Sequence, residues 1–98
     1  MIDRDSEWDD AKAASNLSKH GVSFEMARAA CLDPFALELN DPDSYPGEDR
    51  FICLGSVASR VLFVAYALRG DRIRIISARR ATRYERRRYN ETNQYERF

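Results

Sequence analysis

Val61-Leu62-Phe63-Val64-Ala65-Tyr66-Ala67-Leu68, then Arg69-Gly70-Asp71, then Arg72-Ile73-Arg74-Ile75-Ile76-Ser77-Ala78 is the run from which the rest of the chain is read. Its first eight residues are apolar and rich in β-branched and aromatic side chains, as in a central strand covered on both faces. Arg69-Gly70-Asp71 is a tight reversal. The segment after it alternates, with Arg72 and Arg74 on one face and Ile73 and Ile75 on the other. An antiparallel hairpin is therefore expected at the centre of the molecule. Outward from it, Arg50 to Gly55 reads as a further strand, followed by a turn at 56–59. Ala36 to Asn40 alternates as well, and the turn-rich Asp41-Pro42-Asp43-Ser44-Tyr45-Pro46-Gly47 separates the two.

Two helices precede the strands. Asp9 or Asp10 can cap a helix over roughly 10–20 with Ala11, Ala14 and Leu17 as a narrow apolar stripe, stopped by Gly21. Ser23 caps a second over roughly 24–32 whose inner face is Phe24, Ala27, Ala30 and Cys31, ended by Asp33-Pro34. After the strands, Thr82 and Glu85 form a capping box for a last helix from about 83 to the early 90s, with a fraying tail over 91–98. The expectation is one α+β domain over 1–98 with its ordered core at about 7–90. Two N-terminal helices pack on an antiparallel sheet of three to four strands, followed by an arginine-rich C-terminal helix.

At 98 residues the chain supports one core and no second domain. Trp8, five Phe and five Tyr are too many core-formers for a disordered chain. No apolar run approaches the roughly 18 residues that span a bilayer, and 1–5 lacks a signal-peptide pattern, so a cytoplasmic protein without a membrane partner is expected. Cys31 and Cys53 sit in apolar stretches. They can in principle pair, but two reduced, buried thiols fit better. The net charge of zero hides a division: residues 1–59 carry five basic and twelve acidic groups, residues 60–98 eleven arginines and four acids. Arginine supplies fourteen of the sixteen basic residues. Guanidinium forks bind phosphate and carboxylate bidentately, which points to a polyanion, an acidic protein, or both.

Nine arginines fall between Arg69 and Arg88. Within that run, Ser77-Ala78-Arg79-Arg80-Ala81-Thr82-Arg83 places a strand end against a helix N-terminus, a favourable phosphate site. The bland alternative is a solvated surface with Glu85 paired to its neighbours. In the last helix, Arg83, Arg86, Arg87 and Arg88 leave Tyr84 and Tyr89 as the sizeable apolar anchors, so the helix is either loosely held or covered by a partner. Lys19-His20-Gly21 holds the only histidine, where a helix C-terminus attracts cations. It is either a C-cap or an acid–base group, and the roles are compatible. Arg50 has Glu48 and Asp49 beside it, or else points along the sheet toward the arginines of the last strand. No His/Cys/carboxylate spacing suits a metal, no nucleotide loop or nucleophile motif is present, and no cofactor is called for.

Glu7-Trp8-Asp9-Asp10-Ala11-Lys12, Asn16-Leu17-Ser18-Lys19-His20-Gly21-Val22-Ser23-Phe24-Glu25, and Arg74-Ile75-Ile76-Ser77-Ala78-Arg79-Arg80-Ala81-Thr82-Arg83 with Glu85 and Tyr89 together resemble the BrnT family over about 7–90. The departures are a longer acidic N-terminal lead and Cys31-Leu32 where the family tends to carry a bulkier Phe. The resemblance implies a toxin of a bacterial type II toxin–antitoxin system with a RelE-like fold. It would be a metal-independent endoribonuclease that inhibits translation and growth. Its implied partner is a BrnA-like antitoxin, with operator DNA reached only through that antitoxin and two toxin copies in the complex.

For metal-free RNA cleavage, His20, Lys19, Arg50, Arg79 and Arg80 are the expected catalytic group, with His20 as leading acid–base residue and Glu85 as an alternative base. Arg72, Arg74, Arg83 and Tyr89 are expected RNA contacts, Tyr89 by stacking unless it simply packs. Arg83, Tyr84, Arg86, Arg87 and Arg88 are the expected antitoxin surface. The rival readings are a non-catalytic nucleic-acid-binding module and an antitoxin-type interaction protein.

Overall fold

A computed structural model describes residues 1–2, 5–44 and 46–96. The elements run β1 (Ser6–Glu7), α1 (Asp10–His20), α2 (Phe24–Cys31), β2 (Leu37–Asn40), β3 (Arg50–Val57), β4 (Arg60–Arg69), β5 (Arg72–Arg80) and α3 (Arg83–Glu96). The sheet order is β1-β5-β4-β3-β2. The apolar run Val61–Leu68 is central, as its composition predicts. Two details differ from expectation. The sheet has five strands, and it is mixed: Ser6 and Glu7 run parallel to Ile73 and Arg74. A two-residue strand carries no periodicity, which is why the sequence does not announce it.

One face of the sheet packs against α1 and α2. Cys53, Leu62, Val64, Tyr66, Ile75 and Ala78 from the strands meet Phe24, Ala27 and Ala30 of α2, with Trp8 and Val22 completing the core. Trp8 lies edge-on to Phe24, centroids 5.9 Å apart. The helix approaches β3 so closely that a Cβ on Gly55 would stand 2.0 Å from the Ala30 carbonyl oxygen. Gly55 is therefore a packing glycine.

The expected stripe of α1 is not its inner face. Ala11, Ala14 and Leu17 are exposed, and the buried side chain is Asn16. Its amide nitrogen donates to the carbonyls of Ala78 (2.8 Å) and Val22 (2.9 Å), and its oxygen accepts the Ala78 N–H (3.1 Å). One amide thus serves β5 as a neighbouring strand would, on the edge that β1 leaves uncovered, and also fixes the α1–α2 turn. Three satisfied bonds offset the desolvation of a buried amide.

The capping signals behave as read. Asp9 Oδ1 accepts the N–H of Ala11 and Lys12, Gly21 closes α1 at φ +66°, and Ser23 Oγ accepts the Met26 N–H. Thr82 and Glu85 exchange the two bonds of a capping box, 2.8 and 3.2 Å. Two boundaries move. β3 extends to Val57, so the turn shrinks to Ala58 and Ser59, both at positive φ. The helix α3 continues through Glu96, across 91–96 where fraying is expected, and Asn93 is buried with its amide donating to the Tyr89 carbonyl. Phe98 and Arg97 lie outside the described residues. Among those described, no helix is long and apolar enough to cross a membrane. Cys31 and Cys53 are free thiols. The Cys53 thiol beside it and burial push Cys31 well above the usual thiol range, the opposite of a reactive thiolate.

Candidate RNA-processing site

Helix α1 presents Lys12, Ser15, Asn16, Lys19 and His20 on one face, the i, i+3, i+4, i+7, i+8 spacing normally given to a core stripe. Asn16 pins this face to β5. The other four side chains then line a shallow cleft of about 210 Å³ whose far wall is Ile76 and Ser77. The only two lysines and the only histidine of the chain thus share one cleft. Lys12 and Ser77 line this cleft too, although the sequence alone does not single them out. The signal was available: a polar stripe at helical spacing beside a strand end.

The β5 arginines divide by the alternation of the strand. Ser77 and Arg79 stand opposite Ala65 and Phe63, away from the α1–α2 core, whereas Arg80 stands opposite core-facing Leu62. A bulge in β5 at Ile76 precedes this stretch and sets its facing. Arg79 thus lies two residues beyond Ser77 on the same strand face, and Arg80 on the opposite, core-facing side of the sheet. The two were expected to hold one phosphate together; they do not share a face.

Arg79 is held firmly. Its guanidinium forks onto Glu85 at 2.8 and 3.0 Å and lies 3.9 Å above the Phe63 ring. The Arg79 fork is the main reason Glu85 sits below the usual carboxylate range, aided by the Thr82 N–H. Glu85 is thereby committed to capping α3 and orienting Arg79, which leaves it poorly placed as a base.

Arg50 is remote. It stands opposite Ala67, four residues along β4 from Phe63, or roughly 13 Å at the usual strand rise. Its partner is neither Glu48 nor Asp49 but the buried Asp41, Nε to Oδ2 3.7 Å. An Asx turn holds that carboxylate inward, its other oxygen accepting the Asp43 N–H. Arg74 pairs with Glu7 at 2.8 Å and ties β1 to β5. Arg72 is exposed at the hairpin, opposite Arg69.

Of the two roles open to Tyr89, the packing one is present. The ring is 9% exposed and its hydroxyl donates to Asp33 Oδ2, which also accepts the Ser56 N–H at 2.8 Å. Burial acts to raise the Asp33 pKa, but Tyr89, Phe35 and Ser56 as donors outweigh it and hold the carboxyl below its ordinary value. Tyr84 is 67% exposed, and Arg83, Arg86, Arg87 and Arg88 are exposed around it. Among the described residues no three His, Cys, Asp or Glu side chains converge on a metal-binding position.

No protein of curated function matches the chain. Residues 8–85 match the family described as "Ribonuclease toxin, BrnT, of type II toxin-antitoxin system". That span takes in α1, the whole sheet core and the Arg79–Glu85 junction, the segments that build the cleft. Small size, a charge-divided surface and a basic cleft fit such a protein, and the chain belongs to the BrnT family of ribonuclease toxins of type II toxin–antitoxin systems.

Proposed function

We propose that the protein is a cytoplasmic endoribonuclease that cleaves RNA without a metal ion at the cleft between α1 and the end of β5. The observation that carries this reading is the convergence of Lys12, Lys19, His20 and Ser77 in one cleft, with Arg79 two residues beyond Ser77 on the same strand face. In the proposed reaction the ribose 2′-oxygen attacks the adjacent phosphorus and the bond to the 5′-oxygen breaks. A base takes the 2′ proton and an acid gives one to the leaving oxygen. His20 is the acid–base group, Lys19 and Lys12 neutralise the phosphate, and Arg79, held by Glu85, donates to the developing charge. The product is a 2′,3′-cyclic phosphate or the 3′-phosphate formed from it. Arg50, ion-paired on a distant row of the sheet, takes no part.

The toxin is neutralised by a BrnA-like antitoxin that lays an acidic, partly apolar segment on α3. Exposed Tyr84 and the arginines around it support this surface, since apolar anchors give affinity and charge gives steering. Contact with operator DNA comes only through the antitoxin, whose dimer brings two toxin copies. The test is substitution. His20→Ala, exposed and without a core contact, is expected to keep the fold and lower the cleavage rate about 10²–10³-fold. Full activity in that variant would reduce His20 to a helix cap.

A further inference from the structure

The arginines of the sheet and α3 sort into two groups by partner. Arg50, Arg74 and Arg79 each meet a carboxylate. Arg60, Arg80 and Arg86 form no ion pair among the described residues, yet all three line one cleft of about 380 Å³ with Ser59 and Asn90. Three separate elements bring them there: the start of β4, the end of β5 and the second turn of α3. Arg80 stands opposite Leu62, so Arg60, two residues before Leu62, is its diagonal neighbour on the same face. Like charges in that relation repel. The turn that delivers Ser59 and Arg60 is built from two non-glycine residues at positive φ, Ala58 at +50° and Ser59 at +63°. Residues with a Cβ usually avoid that conformation, because the Cβ crowds the backbone there. Self-repulsion and a strained turn are both kept at one concave cation cluster.

We propose that this cleft is a second anion site, one that binds a phosphodiester of the RNA backbone a nucleotide or two from the cleavage point. A carboxylate is planar and takes guanidinium forks mainly in its own plane. A phosphodiester holds its two charged oxygens and two ester oxygens tetrahedrally, so arginines arriving from three separate elements suit it better. The Ser59 hydroxyl and Asn90 amide add uncharged donors and acceptors for the sugar. Arg80 lies three residues beyond Ser77, roughly 10 Å along β5, so a strand seated at the Lys19–His20 cleft reaches this one by passing over the end of β5. The polymer is assigned through the ribonuclease reading; the anion site itself rests only on the arginines.

The test uses the full chain and a 2′-O-methyl RNA oligonucleotide, which binds but cannot supply the attacking hydroxyl. Guanidinium NMR signals of Arg60, Arg80 and Arg86 are expected to shift with this probe. Arg60→Gln is expected to flatten the log affinity against log salt slope by about 0.7, the loss of one single-strand phosphate contact. Inorganic phosphate alone is expected to move the same signals only at far higher concentration; equal potency would make this a free-phosphate site and overturn the polymer assignment. An unchanged slope in Arg60→Gln, with the wild-type circular dichroism spectrum, would overturn the proposal even if the wild type cleaves RNA. Conversely, loss of oligonucleotide binding in Arg60→Gln with no cleavage by the wild type would uphold this site and sink the ribonuclease reading. Shifts caused by polyglutamate and not by the oligonucleotide would assign the cleft to an acidic protein and contradict it.

Discussion

The α1–α2 layer and α3 are attached to the same sheet by different physics. The first is held by buried apolar surface, a glycine that lets α2 touch β3, and one amide with three bonds. The second has few apolar anchors and is held by two carboxylates: Asp33 receives the Tyr89 hydroxyl, and Glu85 joins its own cap to Arg79. A rigid layer suits a cleft whose groups must keep their spacing. An electrostatically tethered helix with exposed arginines suits a surface that a partner covers. On the proposed reading, the rigid layer carries the cleft and the tethered helix carries the surface for a partner.

The comparison breaks most sharply at Asn16. Asn16→Leu strands the Ala78 N–H and the Ala78 and Val22 carbonyls, and is expected to cost on the order of 4 kcal/mol in chemical denaturation. Gly55→Ala puts a methyl into the Ala30 carbonyl and should cost up to about 3 kcal/mol unless α2 moves. In the other region, Tyr89→Phe removes one bond to a charged group that retains two N–H donors. A loss of roughly 1.5 kcal/mol is expected, seen as faster amide exchange in α3 more than in α1. Glu85→Gln, at a partly exposed pair, should cost within about 1 kcal/mol. Equal effects of Tyr89→Phe on both regions would erase the distinction.

Acid sharpens the same contrast. Asp33 and Glu85 are held below their ordinary values of 3.8 and 4.5, so their contribution is complete above those values and is lost as pH falls through the depressed ones. Helix α3 is expected to loosen below about pH 4 while the α1–α2 layer persists, because the Asn16 lock does not titrate. Acid also discharges Asp9, but that exposed cap governs only the first turn of α1. Simultaneous loss of both regions in pH-dependent hydrogen exchange would contradict this.

The parts of this design legible in sequence are those written in local chemistry. Asp9, Ser23, Gly21 and the Thr82–Glu85 box mark helix ends because each bonds within a few residues, and Gly70-Asp71 marks its hairpin the same way. What escaped depends on pairing across the chain. Asn16 carries no local signal of burial, because its partners are Ala78, far along the sequence, and Val22 across the turn. Arg79 and Arg80 looked like a pair because adjacency in sequence hides the alternation of a strand. Arg60 carries no local signal either, because it shares a cleft with Arg80 and Arg86 only once β4, β5 and α3 are assembled.

The most direct measurement is incubation of the purified toxin with RNA in EDTA, followed by analysis of the fragment ends. A metal-free attack by the 2′-oxygen predicts undiminished cleavage with 2′,3′-cyclic phosphate or 3′-phosphate termini, and a His20→Ala protein that is folded but slow. Cleavage that stops in EDTA, returns with magnesium and leaves 5′-phosphate ends would contradict the account.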